Sequence, residues 1–189
     1  MSEEVVVQEA KNKNIKDVSV KENKQESKYG FLISFLLKIL IIIVVLVLCN
    51  FFIVKFHRVS ENNMFPMVKE RDLCVFYCLD KPQLNHVVLY KTPEGEQKIG
   101  RIVAIPSQTV DFPKNGGYLI NGYMQNEEIF YPTYKDSDSA VKYPLILSED
   151  NYFIMNDFRS DLKDSRKYGE INKKNIIGRV IFIFRRRLF

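Results

Sequence analysis

The most strongly patterned part of the chain is one apolar run near the N-terminus. Residues 31–54 are apolar at every position except Ser34, Lys38 and Asn50. As an α-helix this run is about 36 Å long, which is enough to cross the hydrocarbon core of a bilayer. A cleaved secretory signal has a shorter run that ends in small residues, whereas residues 51–54 are large. We therefore predict an uncleaved transmembrane helix over residues 31–54.

The segment before this run has a different composition. Residues 1–30 contain six lysines and six acidic residues, with few large apolar residues. Such a segment cannot build a packed core, so a disordered tail is predicted over residues 1–30. Basic residues flank the apolar run on both sides, and their distribution alone leaves its orientation in the membrane open.

After residue 54, short apolar runs alternate with turn residues, a pattern typical of β-strands. Asn121 and Gly122 separate two of these runs and favour a tight hairpin. The prolines fall at the edges of runs or in loops, as strands require. Residues 55–189 are therefore predicted to form a mainly β domain. The predicted strands are residues 73–79, 87–90, 98–105, 109–112, 118–121, 152–155 and 176–184.

Charge and cysteine content exclude several function classes. The net charge of +5 is partly concentrated at the three arginines of residues 185–187, and no nucleic-acid recognition motif accompanies it. Cys49 lies in the apolar run, while Cys74 and Cys78 are roughly 13 Å apart if both lie in one strand, too far to bridge. No ligand cluster or phosphate-binding glycine loop is present, so we predict no metal, no cofactor and no nucleic-acid partner.

Three short motifs follow the apolar run in order. They are residues 63–66 (NMFP), residues 100–106 (GRIVAIP) and residues 156–166 (NDFRSDLKDSR). Together, behind one membrane helix, they resemble the conserved boxes of type I signal peptidases, peptidase family S26. The resemblance extends from the apolar run to Gly178 and implies a signal-peptidase-like β domain.

The resemblance also implies where the chemistry of this family would lie. In the family, a serine attacks the carbonyl that follows a small-x-small signal sequence, and a neutral lysine takes the serine proton. The nucleophile position is Asn63 and the general-base position is Gly100. Leu162 stands where a serine helps to orient the lysine. Because all three groups are missing, we expect no catalytic residues and a groove that binds instead of cleaving.

The residues that do match the family boxes are interpreted as structural. Met64 and Pro66 are expected to set a turn beside the groove. The polar and charged residues of the second and third boxes are expected to hold the third box against the β core through paired, hydrogen-bonded contacts. These residues are Arg101, Asp157, Arg159, Asp164, Ser165 and Arg166.

A substitute catalytic pair would have to come from neighbouring positions. Ser60 lies three residues before Asn63, and Lys98 lies two before Gly100, about 6.6 Å away on the same face of a regular strand. A dyad of Ser60 and Lys98 would require both backbones to shift. It is the basis of the alternative interpretation, an active type I signal peptidase with an atypical site.

A narrower resemblance concerns the SipA-type signal peptidase-like proteins that accompany sortase-built pili of Gram-positive bacteria. These proteins also lack the serine and the lysine, and the similar stretches here are residues 99–102, 131–134, 156–159 and 164–169. The resemblance implies a non-cleaving assembly factor or chaperone whose partners are pilin subunits, the class C sortase, or extended signal or pilin segments. It also implies a cytoplasmic N-terminus and an extracellular β domain. A scaffold unrelated to pili is a further alternative.

Overall fold

The computed structural model describes residues 29–48, 52–127, 129 and 131–185. The chain divides into an N-terminal unit, Met1–Cys49, and a C-terminal unit, Asn50–Phe189. Residues 1–28 of the predicted tail lie outside the described residues, as do Arg186 and Arg187.

The described part of the N-terminal unit is one helix, α1 (Tyr29–Leu48), which is apolar and long enough to cross a membrane. Its 20 residues correspond to about 30 Å, so the prediction of a single apolar N-terminal helix is confirmed. The predicted end of the helix at residue 54 is wrong, because Val54 begins a strand and pairs with Tyr77. The apolar run continues from the helix into a half-buried strand, and composition alone does not mark that boundary.

The C-terminal unit is mainly β within its described residues, as predicted. Its helical segments are α2 (Ser165–Tyr168) and a 3₁₀ turn, Lys173–Asn175. Its strands are β1 (Val54–Arg58), β2 (Leu73–Tyr77), β3 (Val87–Lys91), β4 (Gln97–Ala104), β5 (Thr109–Asp111), β6 (Leu119–Ile120), β7 (Tyr123–Met124), β8 (Leu145–Ile146), β9 (Asn151–Met155), β10 (Ile171–Asn172) and β11 (Ile176–Phe184).

The strands form two antiparallel sheets. The larger sheet has the order β1-β2-β11-β3-β4-β9-β10, and the smaller has the order β7-β6-β5-β8. The last strand, β11, therefore lies between β2 and β3 in the larger sheet. β11 thereby joins β2 to β3, since it pairs with each of them.

The predicted hairpin is confirmed. β6 and β7 pair through Ile120 and Tyr123, and the two residues between them, Asn121 and Gly122, both have positive φ (52° and 83°). Positive φ at both central positions is the geometry that a two-residue hairpin turn needs and that Asn-Gly readily adopts. Four predicted strands were one or two residues too long at the end, because β2, β4, β5 and β6 stop at Tyr77, Ala104, Asp111 and Ile120. Cys78 therefore lies outside β2.

Three buried clusters support the sheets, and β4 contributes to all of them. Ile99 packs with Met64 and Leu89, Ile102 packs with Tyr90 and Ile154, and Val103 joins a third cluster under the smaller sheet. Alternate residues of a strand point to opposite faces, so β4 is covered on both faces. The core thereby fixes the strand on which the general-base position lies.

Gly178 is a position at which the fold tolerates no side chain. A Cβ there would lie 2.7 Å from the carbonyl oxygen of Tyr77, an atom of the neighbouring backbone. We expect Gly178→Ala to destabilise the protein by about 1–3 kcal/mol, because β11 or β2 must shift. The measurement is urea unfolding of the full chain in detergent, with circular dichroism as the readout.

The matched control is Ile181→Ala on the same strand, at a position where the side chain is 38% exposed. It should shift the free energy of unfolding by less than about 1 kcal/mol. An unchanged midpoint for Gly178→Ala would contradict the packing described for β2 and β11.

Candidate functional site

The first motif forms a compact turn that leads from β1 to β2. The amide of Val68 donates to the carbonyl of Met64 at 2.9 Å. Met64 is fully buried, and its sulfur accepts a hydrogen bond from the amide of Asp157 at 3.4 Å. The carbonyl of Asn63 accepts from the amide of Phe158 at 2.9 Å. The first motif is therefore attached to the third through backbone and sulfur contacts.

Asn63, at the nucleophile position, is 5% exposed and links all three motifs. Its Nδ2 donates to the carbonyl oxygen of Ile99 at 2.9 Å and to Oδ1 of Asn156 at 3.2 Å. Ile99 immediately precedes the second motif, and Asn156 begins the third. An amide nitrogen with both hydrogens donated and its lone pair delocalised into the carbonyl is a poor nucleophile.

Gly100, at the general-base position, is packed where a side chain would begin. A Cβ at this position would lie 2.5 Å from Cγ2 of Ile154 and 3.1 Å from Cε1 of Tyr90. Both neighbouring side chains are fully buried. Ile154 and Tyr90 thus fill the space next to Gly100. A lysine at position 100 would require both side chains to move.

Tyr90 introduces a polar atom into this packed region. Its hydroxyl is buried and has no hydrogen-bond partner among the described residues. Burial, followed by the charge of Asp164, raises the pKa of Tyr90 well above its ordinary value. Its hydroxyl consequently stays protonated at neutral pH and offers no base. Sequence reasoning missed Tyr90, because its contact with Gly100 depends on the pairing of β3 with β4 and no local pattern indicates it.

Leu162 stands where the family resemblance predicts an orienting serine. Leu162 is half-buried in the turn before α2, and its carbonyl accepts from the amide of Asp164 at 2.8 Å. Its side chain has no group that would hold an amine. Asn63, Gly100 and Leu162 thus present an amide, a hydrogen atom and an aliphatic side chain at the three family positions.

The third motif is anchored by a fully buried ion pair between Asp164 and Arg166. Nη2 of Arg166 lies 2.7 Å from Oδ2 of Asp164, and neither side chain is exposed. Arg166 also donates to the carbonyls of Arg159 (2.8 Å) and Asp161 (2.7 Å). Asp164 accepts in addition from the backbone amide of Asn156 at 2.9 Å. These bonds satisfy both charges inside the protein.

Ser165 and Arg101 make the remaining connections to the β core. The hydroxyl of Ser165 accepts from the amide of Ile154 at 3.0 Å, which joins α2 to β9. Arg101 donates to Asp157 through Nε (2.8 Å) and Nη2 (2.6 Å), a bidentate pair. The hydrogen bond to Asp157, which is the largest effect, raises the pKa of Arg101. The Arg101 and Asp157 pair lines a pocket of about 470 Å³ together with Pro66 and Met67.

Arg159 is paired with a residue that sequence reasoning missed. Its guanidinium is fully buried and forms an ion pair with Glu127, which also accepts from the hydroxyl of Tyr118. Nε and Nη1 of Arg159 have no hydrogen-bond partner among the described residues, and the guanidinium lies 5.8 Å from the centre of the Tyr118 ring. Glu127 lies 32 positions away in sequence, and no local pattern indicates this contact.

The structure does not join Ser60 to Lys98. Ser60 is exposed, whereas the Lys98 side chain is 5% exposed. Nζ of Lys98 lies 3.5 Å from Glu61 and 3.7 Å from Glu96, so its nearest described partners are carboxylates. Within the described residues, no hydrogen bond connects the Ser60 hydroxyl to this amine. As predicted for a regular strand, Lys98 and Gly100 face the same side of β4, because they pair in register with Tyr90 and Val88.

In the part of the chain that is described, we find neither a reactive cysteine thiolate nor a cluster of metal-ligating side chains. Burial, followed by the nearby charge of Asp72, raises the pKa of the Cys74 thiol to about 11, so it is not a thiolate at neutral pH. Burial also raises the pKa of Cys78. No three histidine, cysteine or acidic side chains come together as a metal site among the described residues.

Comparisons with known proteins found signal peptidases among the chains that are similar to this one. The probable signal peptidase I-1 of Synechocystis sp. is 26% identical over 159 residues, which cover 77% of this chain and 79% of that protein. The signal peptidase I P of Bacillus subtilis subsp. natto is 29% identical over 168 residues, which cover 82% of this chain and 90% of that protein. A signal peptidase I crystal structure from Enterococcus faecalis V583 aligns at 22% identity with a TM-score of 0.46, covering 55% of this chain and 98% of that one.

The family model described as signal peptidase, peptidase S26, matches residues 32–185. The match includes all three motifs and most of α1. The chain therefore belongs to the signal peptidase S26 family.

The buried ion pair predicts a large effect of a single substitution. Arg166→Met leaves the Asp164 carboxylate buried without its partner, and we expect it to lower the free energy of unfolding by roughly 3–5 kcal/mol. Lys167→Met is the matched control, because the Lys167 side chain is 45% exposed and its ion pair with Glu94 is 3.6 Å long. The control should cost less than about 1 kcal/mol. Equal unfolding midpoints for the two variants would refute a structural role for Arg166.

Proposed function

We propose that this protein is a non-cleaving signal peptidase homologue that serves as an assembly factor or chaperone for sortase-built pili. In this proposal α1 anchors it in the cell membrane, with the N-terminus in the cytoplasm and the β domain outside the cell. Its partners are pilin subunits, the class C sortase, or extended signal or pilin segments. The observation that carries the proposal is the arrangement at Asn63, whose amide stands at the nucleophile position and is bonded to the strand of the general-base position.

The chemistry of peptide cleavage supports the first half of the proposal. Acyl transfer by this family's mechanism needs a hydroxyl and a neutral amine within hydrogen-bond reach of each other. At these positions the chain has an amide that already donates to two acceptors, and a glycine whose neighbours fill the adjacent space. The nearest amine along β4, that of Lys98, is bound by two carboxylates.

The structural parts of the site support a retained binding role. The ion pairs of Arg101 with Asp157 and of Arg166 with Asp164 hold the motifs together. This structural role does not require that the site be catalytic. The similarity of residues 99–102, 131–134, 156–159 and 164–169 to the SipA-type proteins supports the pilus role. A groove of this kind can bind an extended segment by adding it to an exposed strand edge.

An active signal peptidase is the second candidate, and the relatives favour it. Two of the similar proteins are named signal peptidase I. For this chain to cleave, another hydroxyl must act, and Ser60 with Lys98 is a pair close in sequence to the family positions. That pair would require Glu61 and Glu96 to release the amine.

The first test is cleavage of an authentic precursor with a small-x-small signal sequence by the full chain in bilayers. We expect no cleavage above background, with an active signal peptidase as positive control. Cleavage by the unmodified protein that is lost in Ser60→Ala or Lys98→Ala would establish the second candidate and overturn the first. Asn63→Ser/Gly100→Lys should unfold at a lower urea concentration, since the new side chain meets Ile154 and Tyr90.

The second test concerns the partner. A photocrosslinking amino acid replaces exposed Gln97 on β4 in a piliated cell, and exposed Glu149 serves as the control position on a different part of the surface. We expect adducts with a pilin subunit or the class C sortase at position 97 and none at position 149. If neither partner is recovered at position 97, the pilus role is wrong.

A further inference from the structure

The larger sheet carries a second cavity, which none of the residues of the three motifs lines. Its volume is about 150 Å³, which is room for about five water molecules. It lies over β3 and β11, where Arg179 pairs in register with Val88 and the pairing is irregular between Ile176 and Gly178. Val88, Ile176 and Pro82 supply apolar lining. We name it the β3–β11 cavity.

Positive charge predominates in the lining of this cavity. Three of the lining side chains are cationic, Lys81, Lys173 and Arg179, and one is a carboxylate, Asp80. Lys81 is exposed and has no ion pair among the described residues. Nζ of Lys173 lies 3.8 Å from Oδ1 of Asp150, and these two side chains are 48% and 69% exposed. An exposed pair of this length contributes little, so both amines are available to a ligand.

Arg179 has a hydrogen-bond donor that its carboxylate neighbour does not use. Nε lies 2.7 Å from Oδ2 of Asp80, yet the contact lacks the angle of a hydrogen bond, and Nε is buried with no acceptor among the described residues. Buried donors are normally satisfied, so this one points to a missing acceptor. Burial, followed by the charge of Arg179, lowers the pKa of neighbouring His86, and the opposing effect of Asp80 is smaller. Positive charge thus outweighs negative charge beside the cavity.

Asp80 is the lining group that opposes a bound anion. Its side chain is 26% exposed and lies beside Arg179. With Asp150 added, two carboxylates still face three cations, so the balance stays positive. Lys55 strengthens it, because its charge acts to lower the pKa of Cys78, which burial raises. Anions are therefore favoured over cations as ligands of the cavity.

We propose that the β3–β11 cavity binds the phosphate group of an anionic phospholipid headgroup, with Lys81, Lys173 and Arg179 donating to its oxygens. Lysine and arginine donate strong, charge-assisted hydrogen bonds to phosphate. Basic pockets of membrane proteins bind anionic headgroups in this way. The proposal does not depend on whether the protein cleaves signal sequences or takes part in pilus assembly.

Two observations favour a lipid over free phosphate as the source of this group. The cavity has apolar lining beside its cations, which suits the glycerol and acyl ester part of a phospholipid and offers nothing to inorganic phosphate. The protein also has a helix, α1, that is long enough to cross a membrane. In sequence, Ile53 follows α1 by five residues, and its carbonyl accepts from the amide of Cys78, which lines the cavity.

The test is native mass spectrometry of the full chain in detergent, titrated with phosphatidylglycerol or with phosphatidylcholine of the same acyl chains. We expect Lys81→Gln/Lys173→Gln to weaken binding of the first phosphatidylglycerol about tenfold, and to leave phosphatidylcholine binding unchanged. Both lysines are exposed, so the variant should fold.

The matched control is Lys91→Gln/Lys174→Gln, which removes the same charge at exposed positions outside the lining of the cavity. It should weaken phosphatidylglycerol binding less than about twofold, because charges on an open surface are screened. Equal losses in the two double variants would mean that diffuse surface charge attracts the lipid, and the proposal would be overturned.

Amide NMR of the full chain in phosphatidylcholine nanodiscs separates the two sources of phosphate. Adding phosphatidylglycerol to the nanodiscs should shift the amides of Ile177 and Gly178, which line the cavity, and leave Gly95 in an exposed turn unshifted. Millimolar inorganic phosphate should leave all three unshifted. Equal shifts with inorganic phosphate would overturn the assignment to a lipid, and absence of shifts with phosphatidylglycerol would overturn the site itself.

Discussion

The buried ion pair of Asp164 with Arg166 is the interaction on which the arrangement of the motifs depends. Both side chains are fully buried, and a carboxylate in that position is tolerable only if its charge and its lone pairs are matched. The guanidinium supplies the charge, and backbone amides of Asn156 and Arg166 supply further donors. The same guanidinium binds the carbonyls of Arg159 and Asp161, so the whole turn before α2 is shaped around one pair.

This dependence separates the residues that hold the fold together from the groups that would carry out chemistry. Removing Arg166 or Asp164 would strand a buried charge, and the fold would lose several kcal/mol. Replacing a nucleophile or a base carries no such penalty, provided the new side chain satisfies its neighbours. The buried pairs therefore bear on the stability of the β domain, whereas activity depends on the few groups at the site.

Much of the fold could be predicted from local sequence patterns, but the site could not. The runs that became β3, β9 and β11 are long enough for their apolar pattern to stand out, and Asn121-Gly122 marks the hairpin directly. The strands β8 and β10 have two residues each, which is too short for an alternating pattern to be recognised. They are defined by their pairing with β5 and β9. Val54 belongs to an apolar run that serves both a helix and a strand.

Contacts at the site join residues that are far apart in sequence. The assignment of Asn63 and Gly100 to the nucleophile and general-base positions rests on the resemblance and stays a prediction. Glu61 with Lys98, Glu127 with Arg159, and Tyr90 beside Gly100 have separations that no local pattern reports. They depend on the order of strands in the sheet, and especially on how β4 lies between β3 and β9.

The substitutions at the family positions are physically compatible with one another. A lysine at position 100 without a serine partner would leave a buried amine unpaired, and Gly100 avoids this cost because Tyr90 and Ile154 fill the space. A serine hydroxyl at position 63 has one hydrogen to donate, whereas the Asn63 amide donates to Ile99 and to Asn156 at once. The amide thereby joins the strand of the general-base position to the third motif. The hydrogen bonds of Asn63 therefore contribute to the packing of the first motif against β4 and the third motif, whatever activity the protein has.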